Sequence, residues 1–101
     1  MKVKEYLIRR RDKDFCLVQV GKFSNVLHPN SFESEKANGW GDYRIKIRDC
    51  EISFSFEEVG IQVSFEICEI DDEKAETIID EICRNVEKEI KNPCDWIQIS
   101  G

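Results

Sequence analysis

Three segments in the middle of the chain alternate apolar and polar residues, the pattern of strands with one buried face. They are "DYRIKIR" (42–48), "CEISFSF" (50–56) and "IQVSFEI" (61–67). A shift by one residue would turn every apolar side chain to the other face, so the pattern constrains the register. With a two-residue turn at Asp49 and Cys50, Ile45 lies opposite Phe54. With a four-residue loop "EEVG" (57–60), Phe54 lies opposite Val63, and both hairpins share one buried face.

The opposite face of these strands is polar, and two glutamates meet on it. The same register places Glu51 opposite Glu66 and Ser53 opposite Ser64. Like charges directly opposite each other destabilise a sheet, by roughly 0.2 to 1 kcal/mol. Arg48, expected opposite Glu51 on the other side, is the predicted counterion.

Residues 71–92 are predicted to form one amphipathic helix. Their apolar positions recur at intervals of three and four, which makes a stripe wide enough to cover the apolar face of the sheet. Asp71 or Asp72 is the expected N-cap, and Asn92 with Pro93 ends the helix, since proline cannot continue the hydrogen-bond ladder. The stripe consists of Ala75, Ile78, Ile79, Ile82, Cys83, Val86 and Ile90.

The two ends of the chain complete the predicted fold. "EYLIRR" (5–10) and "FCLVQV" (15–20), separated by "RDKD", suit a hairpin, and "DWIQIS" (95–100) suits a last strand. Residues 21–42 form a long loop, in which part of "SFESEKAN" (31–38) is expected to make a helical turn. The expected order ββ-loop-βββ-α-β is an α+β fold, a single domain over residues 1–101. Its antiparallel sheet has about five to six strands, with one long C-terminal helix packed on one face.

Charge is distributed unevenly along the chain. Residues 1–48 hold eleven basic and six acidic residues, whereas residues 49–81 hold twelve acidic residues and Lys74 alone as a base. Phosphate binding needs the opposite sign, so we expect no nucleic acid as a ligand. The acidic half favours a basic protein partner.

Six acidic residues are predicted to converge where the third long strand ends and the helix begins. We call this set the acidic rim and predict that it binds the partner. Trp40, between two glycines in "NGWGD" (38–42), has two open interpretations: it anchors a partner from a loop, or it folds down on the edge of the core. The acidic rim comprises Asp49, Glu51, Glu66, Glu69, Asp71 and Asp72.

No arrangement of residues indicates a reaction, a cofactor or a metal site. The five cysteines form no CxxC pair. The simplest interpretation is that they are small buried thiols of a protein in a reducing cytosol. A cysteine and histidine dyad needs the two side chains in contact, and no spacing supports one for His28, the only histidine. The acids at 71–73 lack the spaced ligands and glycine of a calcium loop. The chain is therefore predicted to be noncatalytic.

Nothing in the sequence predicts a membrane location. The chain lacks an apolar run of about 18 residues, and its first residues lack the apolar stretch of a secretory signal. We expect a soluble, cytoplasmic protein that does not bind membranes.

The chain resembles the small immunity proteins of bacterial toxin systems, including contact-dependent growth inhibition systems. The features that carry this resemblance are the acidic charge, the length of 101 residues, the amphipathic helix and the motifs "WGDYRI", "ISFSFEEVGIQVSFE" and "DWIQIS". The resemblance concerns size, charge and architecture over the whole chain. It implies a protein that neutralises a basic toxin, often a nuclease, by covering its active site or a nearby surface. It assigns no role to any single residue.

Two other hypotheses stay open. One is a structural or regulatory subunit that forms a homodimer through an edge strand such as the N-terminal one. The other is an enzyme that uses Cys16 or Cys50 with His28. The sequence does not determine the oligomeric state.

Overall fold

Six antiparallel strands form one sheet in the computed structural model, which describes residues 3–16, 18–66 and 70–100. The order across the sheet is β2-β3-β4-β5-β1-β6, and each neighbouring pair runs antiparallel. The fold class is α+β, as predicted. The strands are β1 (Lys4–Arg10), β2 (Glu35–Lys36), β3 (Tyr43–Ile47), β4 (Cys50–Glu57), β5 (Gly60–Glu66) and β6 (Cys94–Ser100).

The long helix α2 (Asp72–Ile90) covers one face of the sheet and builds the core with it. Asp71 caps its first turn, because the Asp71 carboxylate accepts a 2.7 Å hydrogen bond from the Lys74 backbone N–H. The helix ends where Lys91 adopts the left-handed conformation, two residues before Pro93. The predicted stripe is confirmed, since its first six positions are fully buried: Ala75, Ile78, Ile79, Ile82, Cys83 and Val86.

The register of β4 on β5 is the predicted one. Phe54 lies opposite Val63, and Glu51 lies opposite Glu66. The connection is tighter than the expected four-residue loop, because Glu57 already pairs with Gly60. The predicted strand segment 61–67 ends at Ile67, which lies outside the described residues.

The register of β3 on β4 differs from the prediction by two residues. The turn consists of Arg48 and Asp49, so Ile45 lies opposite Ile52 instead of Phe54. Arg48 adopts a positive φ of 54°, which a two-residue hairpin turn requires. A slip of two residues keeps every side chain on its face, so alternation alone could not exclude it.

The predicted N-terminal hairpin is wrong. β1 lies inside the sheet, with β5 on one side and β6 on the other, so neither of its edges is left for residues 15–20. Cys16 and Val18 are buried as an alternating pattern requires, but no described residue between 11 and 19 lies in a strand. Dimerisation through the N-terminal strand is excluded by the same topology, because its two edges are occupied.

Residues 20–42 contain more structure than the predicted long loop. Val20–Lys22 form a 3-10 turn that leads into a short helix, α1 (Phe23–Val26), which buries Phe23 and Val26. The segment 31–38, part of which was expected to make a helical turn, contains no helix: Ser31 lies in a turn, and β2 pairs with β3. The ring of Phe23 stacks on Phe56 at a centroid distance of 4.8 Å and closes this end of the core.

Candidate partner-binding surface

Arg44 lies between the two glutamates that face each other across β4 and β5. Its Nε donates to Glu51 Oε1 at 2.7 Å, and its Nη2 lies 2.6 Å from Glu66 Oε1. The Arg44 side chain is only 7% exposed. Burial lowers the pKa of this guanidinium, but the hydrogen bonds to Glu51 and Glu66 outweigh burial, so its pKa is raised. One guanidinium therefore binds both carboxylates and compensates half of their charge within the chain.

The predicted counterion was the wrong arginine. Because β3 is shifted by two residues, Lys46 lies opposite Glu51, and Arg44 lies opposite Ser53. Arg44 reaches diagonally along the sheet to both carboxylates, whereas Arg48 forms the turn. Diagonal neighbours in a sheet are within reach of a long side chain.

The segment 38–42 folds over the polar face and covers Arg44. A Cβ on Gly39 would lie 2.6 Å from Arg44 Cδ, so glycine permits the close approach. Trp40 is 59% exposed, and its ring centre lies 5.9 Å from Arg44 Cζ. One side of the Trp40 ring contacts a buried cation, and most of the side chain faces solvent. Partner anchoring by Trp40 stays a prediction.

The acidic rim is only partly available to a partner. Glu51 and Glu66 bind Arg44, Asp72 forms an ion pair with Lys4, and Asp71 caps α2. Asp49 is exposed in the β3–β4 turn. Glu69 lies outside the described residues.

Asp49 and Asp71 share one groove with basic side chains. The groove has a volume of about 1040 Å³ and lies between the β3–β4 turn, residues 31–35 and the start of α2. Lys46, Arg48 and Lys74 also line it, so its charge is mixed. This end of the sheet is therefore not the purely acidic surface that the sequence predicted.

A second, shallower groove is more acidic and involves residues that sequence reasoning passed over. It has a volume of about 430 Å³. Trp96 Nε1 donates to Asp80 Oδ1 at 3.2 Å, which holds the indole along the exposed face of α2. We call this site the α2–Trp96 groove; it is lined by Glu73, Glu76, Thr77, Asp80, Glu81 and Trp96.

Two carboxylates of the α2–Trp96 groove are unengaged. Glu73 and Glu76 are exposed and form no ion pair with any described residue, whereas Glu81 accepts a hydrogen bond from the Ser31 backbone N–H at 2.8 Å. Arg84 forms the ion pair at this groove, with its Nη2 3.8 Å from Asp80 Oδ1. The spacing of residues 73, 76 and 80 on one helix face was visible in the sequence, but the approach of β6 was not.

Among the described residues, the His28 ring hydrogen-bonds to hydroxyl groups and not to a thiol. His28 contacts Ser34 Oγ through Nδ1 at 2.6 Å and Tyr43 Oη through Nε2 at 2.7 Å, and burial lowers its pKa. Cys16 is a free thiol whose pKa burial raises to about 12, which makes it a poor nucleophile. Cys50 is disulfide-bonded, so the expectation of a free thiol is wrong at this position.

Within the described ranges, no group of three or more His, Cys, Asp or Glu side chains is arranged to hold a metal ion. No helix of the described chain has the length and apolar character needed to cross a membrane. The chain matches no protein-family model, no curated protein and no solved structure. The resemblance to immunity proteins therefore continues to rest on size, charge and architecture.

Proposed function

We propose that the chain is a noncatalytic binding protein that recognises a basic partner through the acidic face of α2. The observation that carries this proposal is the α2–Trp96 groove, where four carboxylates surround one indole. Lysine and arginine side chains combine with such a site in two ways, by ion pairing with carboxylates and by stacking on the aromatic ring.

The charge around the groove supports the same partner chemistry. Residues 71–81 contain six acidic residues, with Lys74 as the one base. Such a field attracts a cationic protein over several ångströms and raises its association rate, by roughly tenfold or more at low salt. The proposed surface differs from the acidic rim, because Glu51 and Glu66 are already bound to Arg44.

The proposed biological role follows the resemblance: an immunity protein that neutralises a cognate toxin, with a basic nuclease as the expected class. The proposed compartment is the cytoplasm, where an immunity protein meets a toxin that acts inside the cell. The free thiols of Cys16, Cys83 and Cys94 fit a reducing compartment, whereas disulfide-bonded Cys50 fits an oxidising one. Cell fractionation decides between the two.

The test reverses charge where no structural contact is lost. The double variant Glu73→Lys with Glu76→Lys changes the net charge by four units and removes no ion pair with a described residue. The proposed role predicts that a toxin domain is encoded beside the gene. When that domain is coexpressed, the natural chain should protect cells and this variant should fail to. The reason is that attraction to a basic surface becomes repulsion.

A matched control variant makes the same change in net charge at the other end of the sheet. Glu57→Lys with Glu58→Lys alters two exposed residues around the β4–β5 turn, away from the start of α2. This variant should still protect cells. Equal protection by both variants, each shown to be folded by circular dichroism, would place the interface elsewhere; no protection by the natural chain would contradict the proposed role.

A further inference from the structure

The two edges of the sheet are protected very differently. β2 is an edge of two residues, Glu35 and Lys36, both charged and exposed, which is a common way to prevent pairing. β6 is an edge of seven residues, and its segment 94–100 contains no lysine, arginine or proline. Ile97 and Ile99 are 37% and 48% exposed on it. The β6 edge is therefore longer and less charged than the β2 edge, with Asp95 as its one charged residue.

The hydrogen bonds at the start of β6 show which backbone groups point out of the sheet. The Arg11 N–H donates to the Pro93 carbonyl at 3.0 Å, which extends the β1–β6 ladder by one step. Backbone groups alternate between the two sides of a strand, so those of residues 94, 96 and 98 point away from β1. The pairing stays regular as far as Tyr6 with Gln98, after which the register shifts.

Side chains from α2 occupy the outward backbone groups of Cys94. The Cys94 N–H donates to Glu87 Oε2 at 2.9 Å, and its carbonyl accepts from Arg84 Nη2 at 3.4 Å. In the described part of the chain, no side chain bonds to the backbone of Trp96 or Gln98 in this way. Four outward backbone groups therefore remain available, two donors and two acceptors.

We propose that this edge pairs with the same edge of a second copy of the chain. In an antiparallel arrangement centred on Ile97, Trp96 of each copy exchanges two hydrogen bonds with Gln98 of the other. All four outward groups of each copy are then satisfied. Ile97 lies opposite Ile97 of the second copy in the closely spaced type of pair, where apolar side chains gain most from contact.

The hydrogen-bonding groups favour this occupant over a random peptide strand, because the two donors and two acceptors lie symmetrically about Ile97 and match those of the same edge in a second copy. Asp95 is the single charged residue of β6, and the symmetric register places it opposite Ile99 of the second copy. Asp95 is also held by Arg9, whose Nε donates to Asp95 Oδ1 at 2.9 Å. No like charges lie directly opposite each other across the two strands. The dimer uses the backbone of Trp96, whose indole lines the α2–Trp96 groove, but Ile97 and Gln98 do not line that groove, so variants at these two positions test the dimer separately from the proposed function.

The first experiment uses Ile97. In the proposed symmetric register, Ile97 of one copy lies opposite Ile97 of the other, and no other register produces this pair. Sedimentation equilibrium of the natural chain should show dimers that dissociate on dilution. Ile97→Lys and Ile97→Asp should each be folded monomers, because like charges meet at the two-fold axis. An equimolar mixture of the two variants should dimerise again.

The second experiment uses the outward N–H of Gln98. Gln98→Pro removes this donor without removing a bond to β1, and Gln98→Ala keeps it. Two hydrogen bonds are lost in the dimer, so Gln98→Pro should weaken association about tenfold or more relative to Gln98→Ala.

Three results would overturn the proposal. One is a natural chain that stays monomeric up to about 1 mM, the range of the weakest specific complexes. Another is dimerisation of Ile97→Lys as strong as that of the natural chain. The third is a Lys and Asp mixture that associates no better than either variant alone.

Discussion

At the scale of the residue, Arg44 decides how the polar face of the sheet should be interpreted. The sequence shows two glutamates brought face to face and three basic residues on the neighbouring strand. It does not show which base reaches them, because a register slip of two residues leaves every side chain on the same face. In the structure Arg44 binds both glutamates. Glu51 and Glu66, which were expected to bind a partner, are therefore part of a largely internal ion cluster.

Replacing Arg44 tests this role. Arg44→Met leaves the Glu51 and Glu66 carboxylates opposite each other without a counterion, on side chains that are 26% and 13% exposed. We expect a loss of about 3 kcal/mol in the free energy of unfolding, because removing one partner of a buried ion pair leaves an uncompensated charge. Urea denaturation at neutral pH measures it.

The control for Arg44→Met removes the carboxylate charges as well. The triple variant Arg44→Met, Glu51→Gln, Glu66→Gln should recover much of the lost stability, since the facing groups are then neutral. If Arg44→Met unfolds at the same urea concentration as the natural chain, the cluster does not stabilise the sheet.

At the scale of the element, Asp71 caps helix α2, although the sequence also places it in the acidic rim. Its carboxylate accepts the Lys74 N–H, and Asp71→Ala should therefore lower the free energy of unfolding by about 1 kcal/mol. Asp49→Ala is the matched control, because it removes the same charge from an exposed turn and should change stability by less than about 0.5 kcal/mol. Thermal denaturation followed by circular dichroism compares the two.

Equal effects of Asp71→Ala and Asp49→Ala would contradict the capping role. A larger effect of Asp49→Ala would mean that the turn carboxylate has a contact that its exposed position does not suggest.

The strands β3 to β5 and the helix were predictable because each is defined by its own periodicity. β1 and the segment 15–20 were not, since alternation shows that a strand has a buried face but not which strands flank it. The shape of the β4–β5 turn depended on Gly60, which has a φ of 151° and whose Cβ would lie 2.1 Å from the Ile8 carbonyl oxygen. That contact comes from β1, which the sequence pattern could not place there.

The same limit applies to the candidate site. The acidic residues of α2 and their common helix face follow from the sequence spacing. Trp96 joins them only because β6 returns beside β1, close to the helix. The counterion of Glu51 depended on a register that alternation leaves open.

At the scale of the whole molecule, three free cysteines from distant parts of the sequence contribute to the core. Cys16 follows β1, Cys83 lies on α2 and Cys94 begins β6, and all three are buried in the core. Burial raises the pKa of Cys16 and of Cys83 from 9.0 to about 12 and also raises the pKa of Cys94. The folded chain therefore holds three thiol protons more tightly than the unfolded chain does.

We expect the folded state to lose stability in alkaline solution for this reason. Below pH 9 both states keep these protons, and the stabilisation is complete. Above pH 9 the unfolded state releases them first, so stability falls as the pH rises towards 12, by about 1.4 kcal/mol per pH unit for Cys16 and for Cys83, and Cys94 contributes in the same direction. Urea denaturation at several values between pH 7.5 and about 10, where tyrosine begins to ionise, measures the slope.

Cys83→Ala provides the control, because it removes one of the three thiols. Its stability at pH 7.5 should be lower, since a buried side chain is shortened, but its decline with pH should be shallower by one thiol's contribution. An unchanged slope would show that Cys83 does not contribute to the alkaline loss. A natural chain whose stability stays constant over the same range would mean that the thiols lose their protons as readily in the folded core as in water.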